Sequence, residues 1–97
     1  MLTREEVYKL LDGEREHQDK VCGGPEHDRT HNVKEWLKLI GEYLQKSHSD
    51  LGSNKPVRAL SQLRKLTALG VAALEVYGAP PRRVREKTGK KDQLVSS

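Results

Sequence analysis

Two groups of polar side chains in this chain have the types and spacing to bind a ligand. The first is Tyr8, Asp12 and Arg15, which recur at i, i+4 and i+7 and would share one face of a helix. A tyrosine ring can stack on a nucleobase, and an arginine can pair with a phosphate or stack on a ring. These residues predict contacts with bases and phosphates.

The second group is Arg64, Lys65 and Thr67, in the middle of a segment that is otherwise apolar. A cation at such a place often extends its charged end to solvent, and this is one interpretation. If the segment were a helix at the axis of an oligomer, symmetry would gather several copies of Arg64. Like charges repel unless a polyanion lies between them, so the second interpretation is an anion site.

Metal binding and catalysis have weaker support. Cys22, His27 and His31, with Asp28 nearby, are residue types that bind zinc, but their spacing matches no standard zinc finger. Cys22 and a histidine could form a nucleophile and its base, although nothing in the sequence positions the pair. A magnesium-dependent hydrolase needs carboxylates that converge from facing helices, and no glycine-rich phosphate loop is present. We therefore expect no metal, no cofactor and no enzymatic activity.

The composition limits the kind of domain that can carry these residues. The chain has 97 residues, of which 34% are hydrophobic and 33% charged, enough for one small domain and too few apolar residues for a barrel or a dinucleotide-binding fold. No apolar run approaches the roughly 20 residues that span a bilayer. The first residues lack the apolar centre of a signal peptide, and a single cysteine fits a reducing compartment. We expect a cytoplasmic protein that does not enter a membrane.

The net charge of +4 belongs to the end of the chain. Residues 82–97 contain six basic and two acidic residues, and the remaining chain has twelve of each. We therefore predict a helical, oligomerising domain over residues 1–81 and a disordered basic tail over residues 82–97. A neutral body lacks the basic face that neutralises many phosphates, so binding of duplex DNA is not expected.

The first helix is expected to begin at a capping box, in which Thr3 and Glu6 satisfy each other's backbone amides. Val7, Leu10 and Leu11 follow at helical spacing. Gly13 either ends a short helix or allows a bend in a longer one that runs to about Lys20. Residues 22–25, Cys-Gly-Gly-Pro, stop the helix in either case.

Two longer helices follow. Asn32 begins the second, which carries an apolar stripe over residues 33–44, and residues 47–54 are expected to be a connecting loop. Pro56 suits the first turn of the third helix, which Gly78 ends. No strand pattern is present. The predicted fold is all-α, a three-helix protomer with a short N-terminal helix and two long antiparallel helices.

The third helix also predicts self-association. Its second half, residues 66–77, is apolar on nearly every side, and two partner helices in so small a protomer cannot cover it all. Its alanines and glycine allow close approach of another backbone. We therefore expect a compact homo-oligomer with this helix at the subunit interfaces. In the alternative, the first helix covers it and the protomer is a monomer.

Four segments of the chain resemble one family of small phage proteins, the anti-CBASS protein 2 family. They are EEVYKLLDGER at residues 5–15 with Gln18, HNV-x-x-WL at residues 31–37, LRKL at residues 63–66, and YGAP at residues 77–80. The resemblance spans residues 3–82 and leaves the tail unmatched. It implies an all-helical homohexamer in the host bacterial cytoplasm.

The resemblance also implies a function. It implies sequestration, without cleavage, of cyclic dinucleotides such as 3′,3′-cyclic GMP–AMP, and of cyclic trinucleotides at a separate pocket. Tyr8 matches the residue that stacks on the dinucleotide, and Arg64 matches the arginine of the trinucleotide pocket. Lys20 is the nearest match to a phosphate-binding lysine, but the loop at residues 22–25 departs from the family, so Arg29 could take that role. The rival interpretation is a phage regulator that binds nucleic acid or a host protein through its basic tail.

Overall fold

The computed structural model describes residues 1–82, which form four α-helices: α1 (Arg4–Cys22), α2 (Gly24–Asp28), α3 (Val33–Gly52) and α4 (Pro56–Tyr77). These residues contain no strand, so the predicted all-α class is confirmed. The predicted tail lies, apart from Arg82, outside the described residues.

Of the two extents that Gly13 left open, the first helix has the longer one, which runs past Lys20. The short N-terminal helix of the predicted protomer was therefore wrong. The capping box is present: the Glu6 amide donates to the Thr3 hydroxyl at 3.1 Å, and the Thr3 amide donates to the Glu6 carboxylate at 2.8 Å. The helix continues through Gly13 for 19 residues. It ends where Gly23 adopts φ 100°, a left-handed conformation that glycine takes at little cost.

The sequence did not predict α2, a short helix that begins at Gly24 and precedes α3. Pro25 lies in its first turn, where its fixed φ is compatible with a helix and no amide is needed. The Arg29 amide closes the turn by donating to the Pro25 carbonyl at 3.1 Å. Asn32 then begins α3 with the predicted capping box, in which both bonds with Glu35 measure 2.8 Å.

The predicted loop over residues 47–54 was also wrong, because α3 continues to Gly52. Polar side chains in its last turns bond to α4 instead of forming a loop. The Ser47 hydroxyl donates to the Ala59 carbonyl at 2.9 Å, and the side-chain amide of Gln62 donates to the Asp50 carboxylate at 3.4 Å. Residues 53–55 alone connect the two helices.

The helices α3 and α4 form an antiparallel hairpin around the core. Ser47 meets Ala59 near the connection, and Trp36 packs with Leu69 and Ala72 at the far end. Four partly buried side chains pack against this cluster. They are Leu39, Ile40, Tyr43 and Ala73. The helix α4 also packs against α1 and α2, so it is the centre of the protomer.

One side of the hairpin remains uncovered by any helix of the described chain. Eight large apolar side chains on α3 and α4 are between 44% and 64% exposed. They are Val33, Leu37, Leu44, Leu51, Leu60, Leu63, Leu74 and Tyr77. The exposed apolar residues of α3 and those of α4 lie on the same side of the hairpin, because the two helices are antiparallel and right-handed. The helix α1 contacts α4 on the opposite side, through Lys65 and Glu75. We call these eight residues the open apolar face.

Candidate functional site

Arg15 is the centre of a buried ionic network that joins three helices. Its terminal nitrogen Nη2 lies 2.9 Å from Glu75 on α4, 3.2 Å from Asp19 on α1 and 3.5 Å from Asp28 on α2. Its other terminal nitrogen donates to the Gln18 side chain at 3.2 Å. The Arg15 side chain is 11% exposed. The network therefore fastens α2 and α4 to α1.

The environment of Arg15 favours its charged form. Burial lowers the pKa of the guanidinium. The hydrogen bond and charge of Glu75, together with the charges of Asp19 and Asp28, raise the pKa by more than burial lowers it, so it lies above its ordinary value. Both terminal nitrogens are occupied by groups of the chain itself. In the protomer, Arg15 thus anchors helices and is turned away from solvent.

Tyr8 and Asp12 remain on the solvent side of α1. The Tyr8 ring is 58% exposed, and Asp12 lies one turn further along the helix and is also exposed. Of the three residues predicted to share a face, the structure keeps these two together and turns Arg15 inward. The Tyr8 ring is accessible to a stacking partner.

Both candidate phosphate-binding cations are exposed, and Lys20 lies far from Tyr8 along α1. Lys20 lies in the last turn of α1, and Arg29 follows α2 directly. Tyr8 and Lys20 are twelve residues apart on one helix, a rise of about 18 Å with a rotation of about 120°. A single protomer therefore does not bring the ring and this cation onto one face.

Arg64 is paired with a residue that the sequence did not single out. Its Nε donates to Glu14 at 2.8 Å, across the contact between α1 and α4. The Glu14 side chain is 10% exposed and the Arg64 side chain 42%. The partner lies fifty positions away from Glu14, and local spacing gives no signal of such a pair.

Arg64 and Thr67 lie one turn apart on the same side of α4, whereas Lys65 does not. Thr67 is exposed, and its hydroxyl donates to the Leu63 carbonyl at 2.7 Å. Lys65 is half-buried, with its carbonyl accepting from Gln18 at 3.3 Å, and is rotated by about 160° from Thr67. The structure therefore places Arg64 and Thr67 beside the open apolar face and Lys65 away from it.

The histidines considered for metal binding pack against each other and against a tryptophan, and Cys22 is exposed. The His27 and His31 rings meet edge to face at 5.1 Å, and His31 meets Trp36 at 5.3 Å. The Tyr77 hydroxyl donates to the His31 carbonyl. Within residues 1–82, no three His, Cys, Asp or Glu side chains are grouped so that they could hold a metal ion. The rings form an aromatic cluster along the connection from α2 to α3.

Comparison of the chain with family models, curated protein sequences and solved structures gives no significant match. None of the helices formed by residues 1–82 has the length and apolarity to cross a membrane. The function proposed below rests on the sequence motifs and on the geometry of the candidate residues.

Proposed function

We propose that the protein is a phage counter-defence sponge, which binds cyclic oligonucleotide second messengers and withholds them from bacterial CBASS immunity without cleaving them. It acts as a homo-oligomer in the cytoplasm of the infected host. Its ligands are cyclic dinucleotides such as 3′,3′-cyclic GMP–AMP and, at a second site, cyclic trinucleotides.

The observation that carries the proposal is the exposed Tyr8 ring on a body without net charge. An aromatic ring accepts a base by stacking, and each such contact is worth about 1–3 kcal/mol. Residues 1–81 have equal numbers of basic and acidic residues, which suits a small anion held by a few local cations better than a long nucleic acid. A cyclic dinucleotide offers two bases and two phosphates in one compact ligand.

The dinucleotide site is shared between two copies of the chain. Tyr8 and Lys20 are separated by about 18 Å along α1 and face different directions, so one protomer presents an incomplete site. A second copy can bring its own Lys20 or Arg29 to the ring of the first. Asp12, exposed beside Tyr8, is available to accept hydrogen bonds from a base.

The open apolar face supplies the contact between copies. On α4 the positions along this face recur at alternating steps of three and four, a spacing typical of helices that pair along a seam. They are Leu60, Leu63, Thr67, Gly70, Leu74 and Tyr77. Thr67 and Gly70, in the middle of the seam, are small enough for two backbones to approach closely. A monomer rarely leaves an apolar face of this extent in water.

The trinucleotide site forms where copies meet along this seam. Arg64 lies at the border between α1 and the open apolar face, with Thr67 one turn away. Symmetry brings one Arg64 from each copy around the axis, where a cyclic trinucleotide offers one phosphate to each. Lys65 faces elsewhere and contributes only long-range positive charge.

Calorimetry with 3′,3′-cyclic GMP–AMP tests the proposal, with a DNA duplex of equal phosphate concentration as the control. The proposal expects heat from the cyclic dinucleotide alone, and recovery of the intact ligand after the complex is denatured. A chain shortened to residues 1–82 should bind equally well. Binding of the duplex that disappears in the shortened chain would instead support the regulator with a basic tail.

A further inference from the structure

We infer that Glu14 is a positioning residue for an anion site at Arg64. Its carboxylate holds the guanidinium by the Nε side, so that both terminal nitrogens face outward as a fork for phosphate oxygens. The inference deepens the proposed trinucleotide site and rests on that function for the identity of the ligand.

The pair has an inner and an outer member. The Glu14 carboxylate lies at 2.8 Å from Arg64 Nε and is nearly buried, with 10% of its side chain exposed. It belongs to the same helix as Arg15, whose ionic network fixes that part of α1 against α4. Arg64 lies outside it, 42% exposed. A nearly buried acceptor therefore holds the Nε side of a partly exposed arginine side chain.

The free edge can still bind phosphate in a bidentate way. A guanidinium has five N–H groups in one plane, and its two terminal nitrogens can grip two oxygens of one phosphate. Within the described residues, neither terminal nitrogen of Arg64 donates a hydrogen bond. Pairing at Nε costs the arginine one donor and leaves this bidentate edge intact.

Arg15 provides the contrasting case in the same protein. Its terminal nitrogens are occupied by Gln18 and three carboxylates, while its Nε has no partner and is buried. Arg64 has the opposite arrangement, with Nε paired and the terminal nitrogens without a hydrogen bond among the described residues. The first arrangement anchors helices, and the second presents a cation for a ligand.

Two neutral variants separate orientation from charge. Glu14→Gln keeps an oxygen that can accept from Arg64 Nε, whereas Glu14→Ala removes it, and both remove the same negative charge. Any difference in anion affinity between them therefore reports the orientation of Arg64. We expect Glu14→Ala to bind about five- to tenfold more weakly than Glu14→Gln, the usual cost of immobilising one long side chain. Glu14→Gln itself should bind about threefold more tightly than the parent, because one opposing charge is gone.

The experiment uses the full chain with two probes, cyclic triadenylate and inorganic tripolyphosphate. Calorimetry gives the affinities, and the NMR signal of the Arg64 Nε–H in the ligand-free protein reports the pairing. That signal should stay protected from exchange in the parent and in Glu14→Gln, and lose its protection in Glu14→Ala. If Glu14→Ala does not fold, Glu14→Asp replaces it: it keeps the charge, falls one methylene short of Nε, and should bind both probes more weakly than the parent.

The outcomes distinguish this inference from the proposed function. Tight binding of cyclic triadenylate with equal affinities for Glu14→Gln and Glu14→Ala would overturn the inference and leave the function standing. The expected order for tripolyphosphate, without binding of cyclic triadenylate, would support the inference and contradict the trinucleotide function. Failure of the parent to bind either probe would overturn both.

Discussion

Arg15 and Glu75 connect the first and the last helix of the protein, with Arg15 Nη2 at 2.9 Å from the Glu75 carboxylate across sixty positions of sequence. The same guanidinium also meets Asp28, the last residue of α2. One side chain thus sets how three helices are arranged, and with them the placement of Lys20 and Arg29.

We predict that Arg15→Ala destabilises the fold. It leaves the buried Asp28 and two partly exposed carboxylates without a cation, and solvent screens the latter two, so we expect a loss of about 2–3 kcal/mol in the free energy of unfolding. Chemical denaturation measures it. Lys20→Ala, an exposed cation on the same helix, is the control and should change stability by under about 0.5 kcal/mol. Equal free energies of unfolding for the two variants would show that Arg15 does not anchor the helices.

Tyr8→Ala should weaken the binding of 3′,3′-cyclic GMP–AMP by roughly ten- to hundredfold, because one base loses its stacking partner. Tyr8→Phe keeps the ring and should bind within a few-fold of the parent. Tyr8 is exposed in the protomer, so neither change should alter the melting temperature in the absence of ligand. Calorimetry on the three proteins gives the comparison, and parent-like affinity of Tyr8→Ala would show that the ligand lies elsewhere.

Lys20→Ala and Arg29→Ala should differ in their effect on the salt dependence of dinucleotide binding. The residue that contacts a phosphate loses a charge-assisted bond when it is replaced, so the affinity falls and its slope against salt concentration becomes shallower. The other variant should follow the parent. Affinities measured at several salt concentrations assign the contact, and parent-like slopes for both variants would exclude both residues.

The shared site predicts recovery of binding on mixing. Tyr8→Ala and Lys20→Ala (or Arg29→Ala, if that residue proves to be the contact) each damage every site of a pure oligomer. When the two variants are unfolded and refolded together, some interfaces join an intact Tyr8 to an intact cation. Binding should therefore return in part. No recovery in a mixture shown to contain hybrid oligomers would place the complete site within one protomer.

A charge on the open apolar face should dissociate the oligomer without unfolding the protomer. Leu74 is 52% exposed, so Leu74→Glu should leave the intramolecular core unchanged while it places an unpaired charge in the proposed interface between copies. Val21→Glu, at an exposed apolar residue of α1, is the matched control. Light scattering measures the mass and circular dichroism the helix content. An unchanged mass for Leu74→Glu would contradict the proposed interface.

Arg64→Ala should abolish binding of cyclic trinucleotides and leave cyclic dinucleotides bound at near the parent affinity. Tyr8 and Arg64 belong to different helices, so the loss should be confined to one class of ligand. Arg58→Ala, another exposed cation of α4, is the control and should bind both classes. Equal loss of both ligands would indicate one shared site, and no loss of either would leave Arg64 with only its structural pairing to Glu14.

Local sequence signals predicted the starts of α1, α3 and α4 and the end of α4 before Gly78, but they left the extent of α1 open and ended α3 too early. The capping boxes at Thr3 and Asn32 join residues that are only three positions apart, so the local sequence is enough to predict them. The continuation of α1 through Gly13 depends on distant contacts. The pairs of Glu14 and Arg15 with α4 offset the cost of about 1 kcal/mol for a glycine within a helix.

The residues of the candidate site also differ in how far local sequence predicts their environment. Tyr8 and Asp12 are exposed, but so are Val7 and Leu10 of the predicted apolar stripe, so periodicity alone does not account for their exposure. The burial of Arg15 and the pairing of Arg64 depend on how α1 meets α4, and no spacing within either segment encodes that contact. Side chains whose partners lie on another helix are therefore the ones whose contacts the sequence alone did not predict.

Native mass spectrometry with and without 3′,3′-cyclic GMP–AMP tests the central claim most directly, because one spectrum reports both assembly and ligand. The chain has a mass of 11.0 kDa. The proposal predicts a discrete multiple of this mass, a homohexamer by the family resemblance, which gains the mass of intact cyclic GMP–AMP in whole numbers. A monomer at 11.0 kDa that gains no mass at micromolar ligand would contradict it.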